Sequence, residues 1–202
     1  MSDQSSTTRK RAYRKRLRAD QEADTRRRIT EATVDLHGSV GPARTTVSAV
    51  AERAGVQRAT VYRHFPDEQS LFAACSAHWA ALNPPPDPAR WLEIADPDER
   101  LRTALEELYS WYVGTEDMLE NTSRDLPLVP AMAKAAQEFG RWYDVAARAL
   151  MRGRPERGAR RRRVGVAIGH ALAFDTWRSL VRDQGLKPDE AVALMAGLAA
   201  AA

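Results

Sequence analysis

The side chains with the most chemistry to offer crowd between Thr46 and His64. Arg58, Thr60, Tyr62, Arg63 and His64 are hydrogen-bonding groups suited to base edges and phosphates in a major groove. Among them stand Ala51, Gly55 and Val61, in the spacing Ala-x3-Gly-x5-Val. Each has a steric reason in a helix-turn-helix: Ala51 lets two helices cross closely, Gly55 ends the first where a positive φ is needed, and Val61 plugs the core beneath the second. The plainer alternative is a helical hairpin that binds nothing, because Ala and Gly are common at helix boundaries.

Catalytic chemistry has much less to work with. Bundle metalloenzymes build their sites from Glu-x-x-His pairs, and the chain has none. His37, His64, His78 and His170 show no ligand spacing, and neither a phosphate-cradling glycine loop nor a Gly-x-Ser-x-Gly elbow occurs. No catalytic residue, metal or cofactor is expected. A basic module for RNA or anionic membranes would explain the arginine runs, but would leave the Ala-Gly-Val spacing a coincidence.

The elements that must position these groups read as helices. Ala, Leu, Arg and Glu dominate and alternating β-branched runs are missing, so the expected fold class is all-α, with about nine helices. Over residues 25–37, Ile29, Ala32, Thr33 and Leu36 share one face, and Gly38, Gly41 and Pro42 close the helix. Thr46 caps a second helix with the stripe Val47, Val50, Ala51 and Ala54. A third covers residues 58–64 and stops at Pro66; Asp67 caps a fourth, which carries Leu71, Phe72, Cys75 and Trp79. Asn83 and Pro84 to Pro86 mark the expected boundary, giving a basic arm over residues 1–24, a helix-turn-helix domain over 25–82 and a second helical domain over 83–202. Asp96-Pro97-Asp98-Glu99 starts a fifth helix, expected to end near Gly114. Thr115 with Glu116 and Asp117 starts a sixth, Pro127 and Pro130 precede a seventh that ends near Gly153, and two more cover about 160–184 and 188 onward.

The stretches Thr45-Thr46-Val47, Val50-Ala51, Ala54-Gly55-Val56, Thr60-Val61-Tyr62-Arg63-His64-Phe65 and Leu71-Phe72 strongly resemble the TetR family over roughly residues 25–80. The resemblance implies a homodimer that sets two recognition helices into successive major grooves of a double-stranded DNA operator and is released by a small-molecule effector. Carried over by position, Thr46 bonds a phosphate and Ser48 touches a base or phosphate. Gln57 begins the recognition helix, and Arg58, Ala59 and Thr60 read bases. Tyr62 and His64 clamp the backbone, while Arg63 reaches a base or phosphate. Glu68 departs from the pattern, standing where many members carry a phosphate-binding lysine.

The second half is marked by aromatic residues at helical spacing, which fit either an ordinary core or a ligand cavity. The candidate pocket residues are Trp111, Tyr112, Asn121, Phe139, Trp142, Tyr143, His170 and Phe174, with Arg124 and Asp175 as further polar groups. Asp175 could instead pair with Arg178, and His170 could be a core histidine. The last two helices resemble the family's dimerisation elements. Val164, Ala167, Ile168, Ala171 and Phe174 form one stripe and Ala191, Val192, Leu194, Met195 and Leu198 another, unless both pack within one subunit.

Cys75 is the only cysteine, so no internal disulfide forms, and it is expected in the core. No apolar run is long enough to span a bilayer, and charges occupy the place of a signal peptide's apolar segment, so a cytoplasmic protein is expected. The formal charge is only +4, but seven of the ten residues from Arg9 to Arg18 are basic. A second basic run, Arg152, Arg154, Arg157 and Arg160 to Arg163, is expected to be a solvated loop. If the first run contacts phosphates and compensates for Glu68, deleting residues 1–18 weakens DNA binding and flattens its salt dependence in a titration series. Unchanged affinity at every salt concentration would refute that role.

Overall fold

A computed structural model describes residues 3–202, with side chains from Tyr13 onward; Met1, Ser2 and the side chains of Arg9, Lys10 and Arg11 in the basic arm lie outside the described residues. Among the described residues there are ten α-helices and no strand. They fall into two compact units, Met1–Trp79 and Ala80–Ala202.

The first unit is built from α1 (Asp3–Ser39), α2 (Val47–Ala54), α3 (Arg58–His64) and most of α4 (Glu68–Leu82). α1 starts well before residue 25 because neither Pro nor Gly interrupts it before Gly38 and good helix formers fill it. Ile29, Ala32 and Leu36 of α1 meet Val50, Ala51 and Ala54 of α2 and Val61 and Phe65 beneath α3. Burying a side chain such as Ile29 or Phe65 contributes about 1.5–3 kcal/mol. Thr46 Oγ1 accepts from Ala49 N at 3.1 Å and Asp67 Oδ1 from Ser70 N at 2.7 Å, so both expected caps form. Cys75 is buried, 3.6 Å from His37 Nδ1, and burial pushes its thiol up to about 12, which makes it an inert core residue.

The second unit packs around α6 (Pro97–Asp125), which touches α5 (Pro88–Trp91), α7 (Ala133–Met151), α8 (Gly158–Leu172), α9 (Phe174–Arg178) and α10 (Pro188–Ala201). Several expectations change here. A short helix, α5, follows the proline run because Asp87 caps it, accepting from Ala89 N at 2.9 Å, with Pro88 in its first turn. The expected break at Gly114 is absent: Thr115 does not cap but donates back to Trp111 O at 2.7 Å, and α6 runs on to Asp125.

The single helix expected over 160–184 is interrupted instead. Ala173 is extended, with φ −69° and ψ 137°, and a π-helical turn, Ser179–Asp183, follows α9. Two tyrosines of α6 satisfy the backbone at this break. Tyr109 OH donates to Ala171 O at 3.0 Å and Tyr112 OH to Leu172 O at 2.5 Å. Tyr143 OH lies 2.8 Å from Tyr112 OH. Burial raises all three phenols, Tyr143 to about 12, so they stay protonated and able to donate.

The second basic run is a solvated loop only in part: Arg152 and Arg157 are exposed between α7 and α8, but the other members differ. Arg154 is buried, donating to Asp98 Oδ1 at 2.9 Å, Pro97 O at 2.9 Å and Leu150 O at 3.2 Å. Arg160 to Arg163 belong to the first turns of α8. Arg100 is buried too, and its guanidinium takes the carbonyls of Ile94, Ala149 and Arg152. Because Tyr112 OH is fully enclosed at the helix break, Tyr112→Phe should lower unfolding stability by about 1–3 kcal/mol in urea. Tyr13→Phe, on an exposed ring, should stay within about 0.5 kcal/mol of the parent.

Candidate functional site

The candidate reading face is assembled by α2 and α3. Val61 and Phe65 turn inward, 1% and 2% exposed. The helical period therefore sends Arg58, Ala59, Tyr62 and Arg63 outward, where all four are exposed, with Thr60 at the edge. Gln57 is exposed as the N-cap of α3, and Thr46 and Ser48 are exposed at the start of α2. The lone pair of Thr46 Oγ1 serves its own helix, leaving the O–H proton for an anion.

Gly55 adopts φ 65°, the left-handed conformation expected of it, and its N–H returns to Ala51 O and Glu52 O. α1 supplies what sequence reasoning missed. Arg28 Nη2 donates to Ala54 O and to Gly55 O, at the end of α2. Arg26 Nη1 donates to His64 O at 2.7 Å, at the end of α3, and its guanidinium lies 4.1 Å from the Phe65 ring centre. Two arginines two residues apart on α1 thus oppose the carbonyl ends of both helices of the motif. In sequence they are indistinguishable from the other cations of a basic segment.

His64, at the end of α3, is half-buried. Its Nε2 is buried without a hydrogen-bond partner, and loss of solvent, then the Arg63 and Arg26 charges, hold the ring below the usual histidine range. It is a neutral group at the rim. Glu68 is exposed in the first turn of α4, where the helix dipole favours an acid.

In the second unit, a cleft of about 380 Å³ opens at the α8–α9 break and is lined by Phe139, Tyr143 and Phe174 of the candidate pocket residues, and by Asp175. The others lie elsewhere. Tyr112 is wholly buried, the indole N–H of Trp111 donates to Asn83 O at 3.3 Å and that of Trp142 to Pro86 O at 3.0 Å. Arg124 binds Asn121 Oδ1 at 2.8 Å and Asp125 Oδ1 at 2.7 Å. His170 is exposed, 3.2 Å from Thr176 Oγ1, beside a surface groove along α8 that also includes Arg162, Arg163 and Val166. Asp175 does not pair with Arg178, which binds Glu120 at 3.1 Å and Asp183 at 3.7 Å.

The two apolar stripes at the end of the chain divide by burial. Val164, Ile168, Ala171, Phe174, Ala191, Val192 and Met195 pack within the unit, whereas Leu194 and Leu198 are 43% and 52% exposed; Val166, on α8 outside the stripes, is 67% exposed. No helix among the described residues is long and apolar enough to cross a membrane.

Gly55 connects two of these features, because a Cβ there would lie 2.9 Å from Arg28 Nη2 as well as forcing an L-residue into φ 65°. Gly55→Ala should cost about 1–2 kcal/mol in thermal or urea unfolding. Part of that is steric, so the Gly55→Ala, Arg28→Ala pair should cost less than the sum of its single variants. Strict additivity would show that the close approach is unimportant.

Comparison with known proteins places the motif in context. The family model for bacterial regulatory proteins of the tetR family matches residues 29–75. An uncharacterized HTH-type transcriptional regulator of Mycobacterium bovis is 43% identical over 61 residues, which are 30% of this chain and 32% of that relative, so the match spans about a third of the relative's length. Among solved structures, a TetR-like transcriptional regulator from Rhodococcus sp. RHA1 superposes with a TM-score of 0.61 at 18% identity, covering 87% of this chain and 93% of the other. The transcriptional regulator FadR from Bacillus subtilis, solved with stearoyl-CoA, gives 0.60 at 17% identity, covering 85% and 96%. At such identities the likeness is one of fold.

Proposed function

We propose that this chain, whose residues 29–75 match the family model for bacterial regulatory proteins of the tetR family, is a homodimeric repressor of that family that binds a near-palindromic duplex operator and lets go when a small molecule occupies its second unit. The carrying observation is the exposed face of α3, Arg58, Ala59, Tyr62 and Arg63, mounted on a buried helix-turn-helix core. Arg58 forks onto a guanine, Ala59 and the Thr60 methyl meet thymine methyls, and Tyr62, Arg63 and Thr46 hold phosphates, with Ser48 and Gln57 beside them. His64, being neutral, serves as a hydrogen-bonding rim group and adds no charge.

A homodimer through α8 and α10 is supported by Val166, Leu194 and Leu198, apolar side chains left in water by the single subunit. Symmetry then sets two copies of α3 about 34–36 Å apart, one turn of DNA. An effector that binds a differently spaced state more tightly shifts the population away from DNA, and repression is relieved. The cleft at the α8–α9 break, with Phe139, Tyr143 and Phe174, is the effector site in this reading.

Mobility-shift titrations against duplexes from the neighbourhood of the coding region test it, with RNA of equal length as competitor. One palindromic duplex should win, bound as a dimer by sedimentation. Arg58→Ala should cost about 1–3 kcal/mol on that duplex and relax the choice at one base pair. Tyr62→Phe should weaken all duplexes alike. A preference for RNA, or indifference to sequence, would overturn the proposal.

A further inference from the structure

The cleft at the α8–α9 break has a chemistry that selects among effectors. About 380 Å³ lies within the range of small-molecule sites. Leu119, Phe139, Tyr143 and Phe174 supply an apolar and aromatic wall, with the Phe139 and Tyr143 rings edge to face at 4.9 Å between centres. The remaining polar character includes two carboxylates, Asp144 and Asp175. Among the described residues neither carboxylate forms a salt bridge, and the arginine nearest to Asp175 in sequence, Arg178, is committed to Glu120 and Asp183. The chain carries 31 lysines and arginines, yet none lines this cleft. An acyl or carboxylate ligand would meet two carboxylates that no salt bridge engages, whereas a cation would gain both of them beside an aromatic wall.

We propose that this cleft binds an organic monocation with an apolar body, such as a quaternary or protonated amine bearing an aromatic or short aliphatic group. The proposal rests on the effector-site reading above and names the ligand class for it. The cationic centre sits between Asp144 and Asp175, and the apolar body lies against Phe139, Tyr143 and Phe174. Carboxylates beside an aromatic wall hold a cation without a matched hydrogen-bond pattern, so ligands of differing shape fit as long as charge and apolar body are kept.

Calorimetric titration of the full-length protein with benzyltriethylammonium, 4-phenylbutan-1-ol and 4-phenylbutyrate separates the possibilities. The cation should bind about tenfold or more tightly than the neutral alcohol, and the anion most weakly. The Asp144→Asn, Asp175→Asn double variant, altered only at two exposed side chains, should lose that preference while keeping the parent's helicity. Binding of the cation no tighter than of the alcohol or the anion, or an unchanged preference in the double variant, overturns the proposal. The same three compounds are then added to the protein–duplex complex. If the alcohol or the anion releases DNA and the cation does not, the cation class is wrong while the effector-controlled repressor stands.

Discussion

Everything this chain presents to a partner from α3 depends on how the carbonyl ends of two short helices are satisfied. α2 has eight residues and α3 seven, too few to persist alone, and each ends with carbonyl groups that have no partner within the helix. Arg28 and Arg26, projecting from the long α1, donate into those ends. The pairing opposes two guanidinium charges to two negative helix termini and fixes α2 and α3 to a common rod. Packing of Ile29, Ala32 and Leu36 then holds the rod against the pair. Apolar contact gives the cohesion, and the arginines give the direction in which the reading face points.

The second unit uses the same device at larger scale. Arg100 and Arg154 are almost wholly buried and donate to backbone carbonyls around the start of α6 and the end of α7. A buried guanidinium is tolerated only when its donors are matched, and here each finds carbonyl oxygens, with Arg154 also on Asp98. Where α8 breaks, tyrosine hydroxyls play the corresponding part from the donor side, meeting carbonyls that a continuing helix would have used. The excess of arginine in this protein is therefore partly architectural, and net charge alone overstates how much of it is free for phosphate.

What could be read from the sequence was whatever depends on near neighbours. The cap at Thr46, the left-handed Gly55, the inward Val61 and the outward Arg58 and Tyr62 all follow from helical period and steric need within a few residues, and all stand as expected. The errors came from long-range partners. Gly114 reads as a stop, but the surrounding core keeps α6 intact. Ala173 reads as helical, but carbonyls captured by Tyr109 and Tyr112, some sixty residues earlier in the chain, permit the break. Arg154 reads as solvated because its acceptors lie on α7 and at the start of α6. The aromatic candidates divided for the same reason: periodicity marks an inward face without telling a packed core such as Tyr112 from a wall such as Phe174.

At α3, the residues that hold the helix and those proposed to read bases do not overlap. Val61 and Phe65 carry the burial, while Arg58, Ala59, Tyr62 and Arg63 have water on their outer side. Exchanges at exposed helix positions usually change stability by no more than about 0.5 kcal/mol. With those residues reading the operator as proposed, the choice of target sequence is nearly decoupled from the free energy of folding. A lineage could drift from one operator to another, or an engineer could re-aim the protein, through changes that leave the scaffold as sound as before.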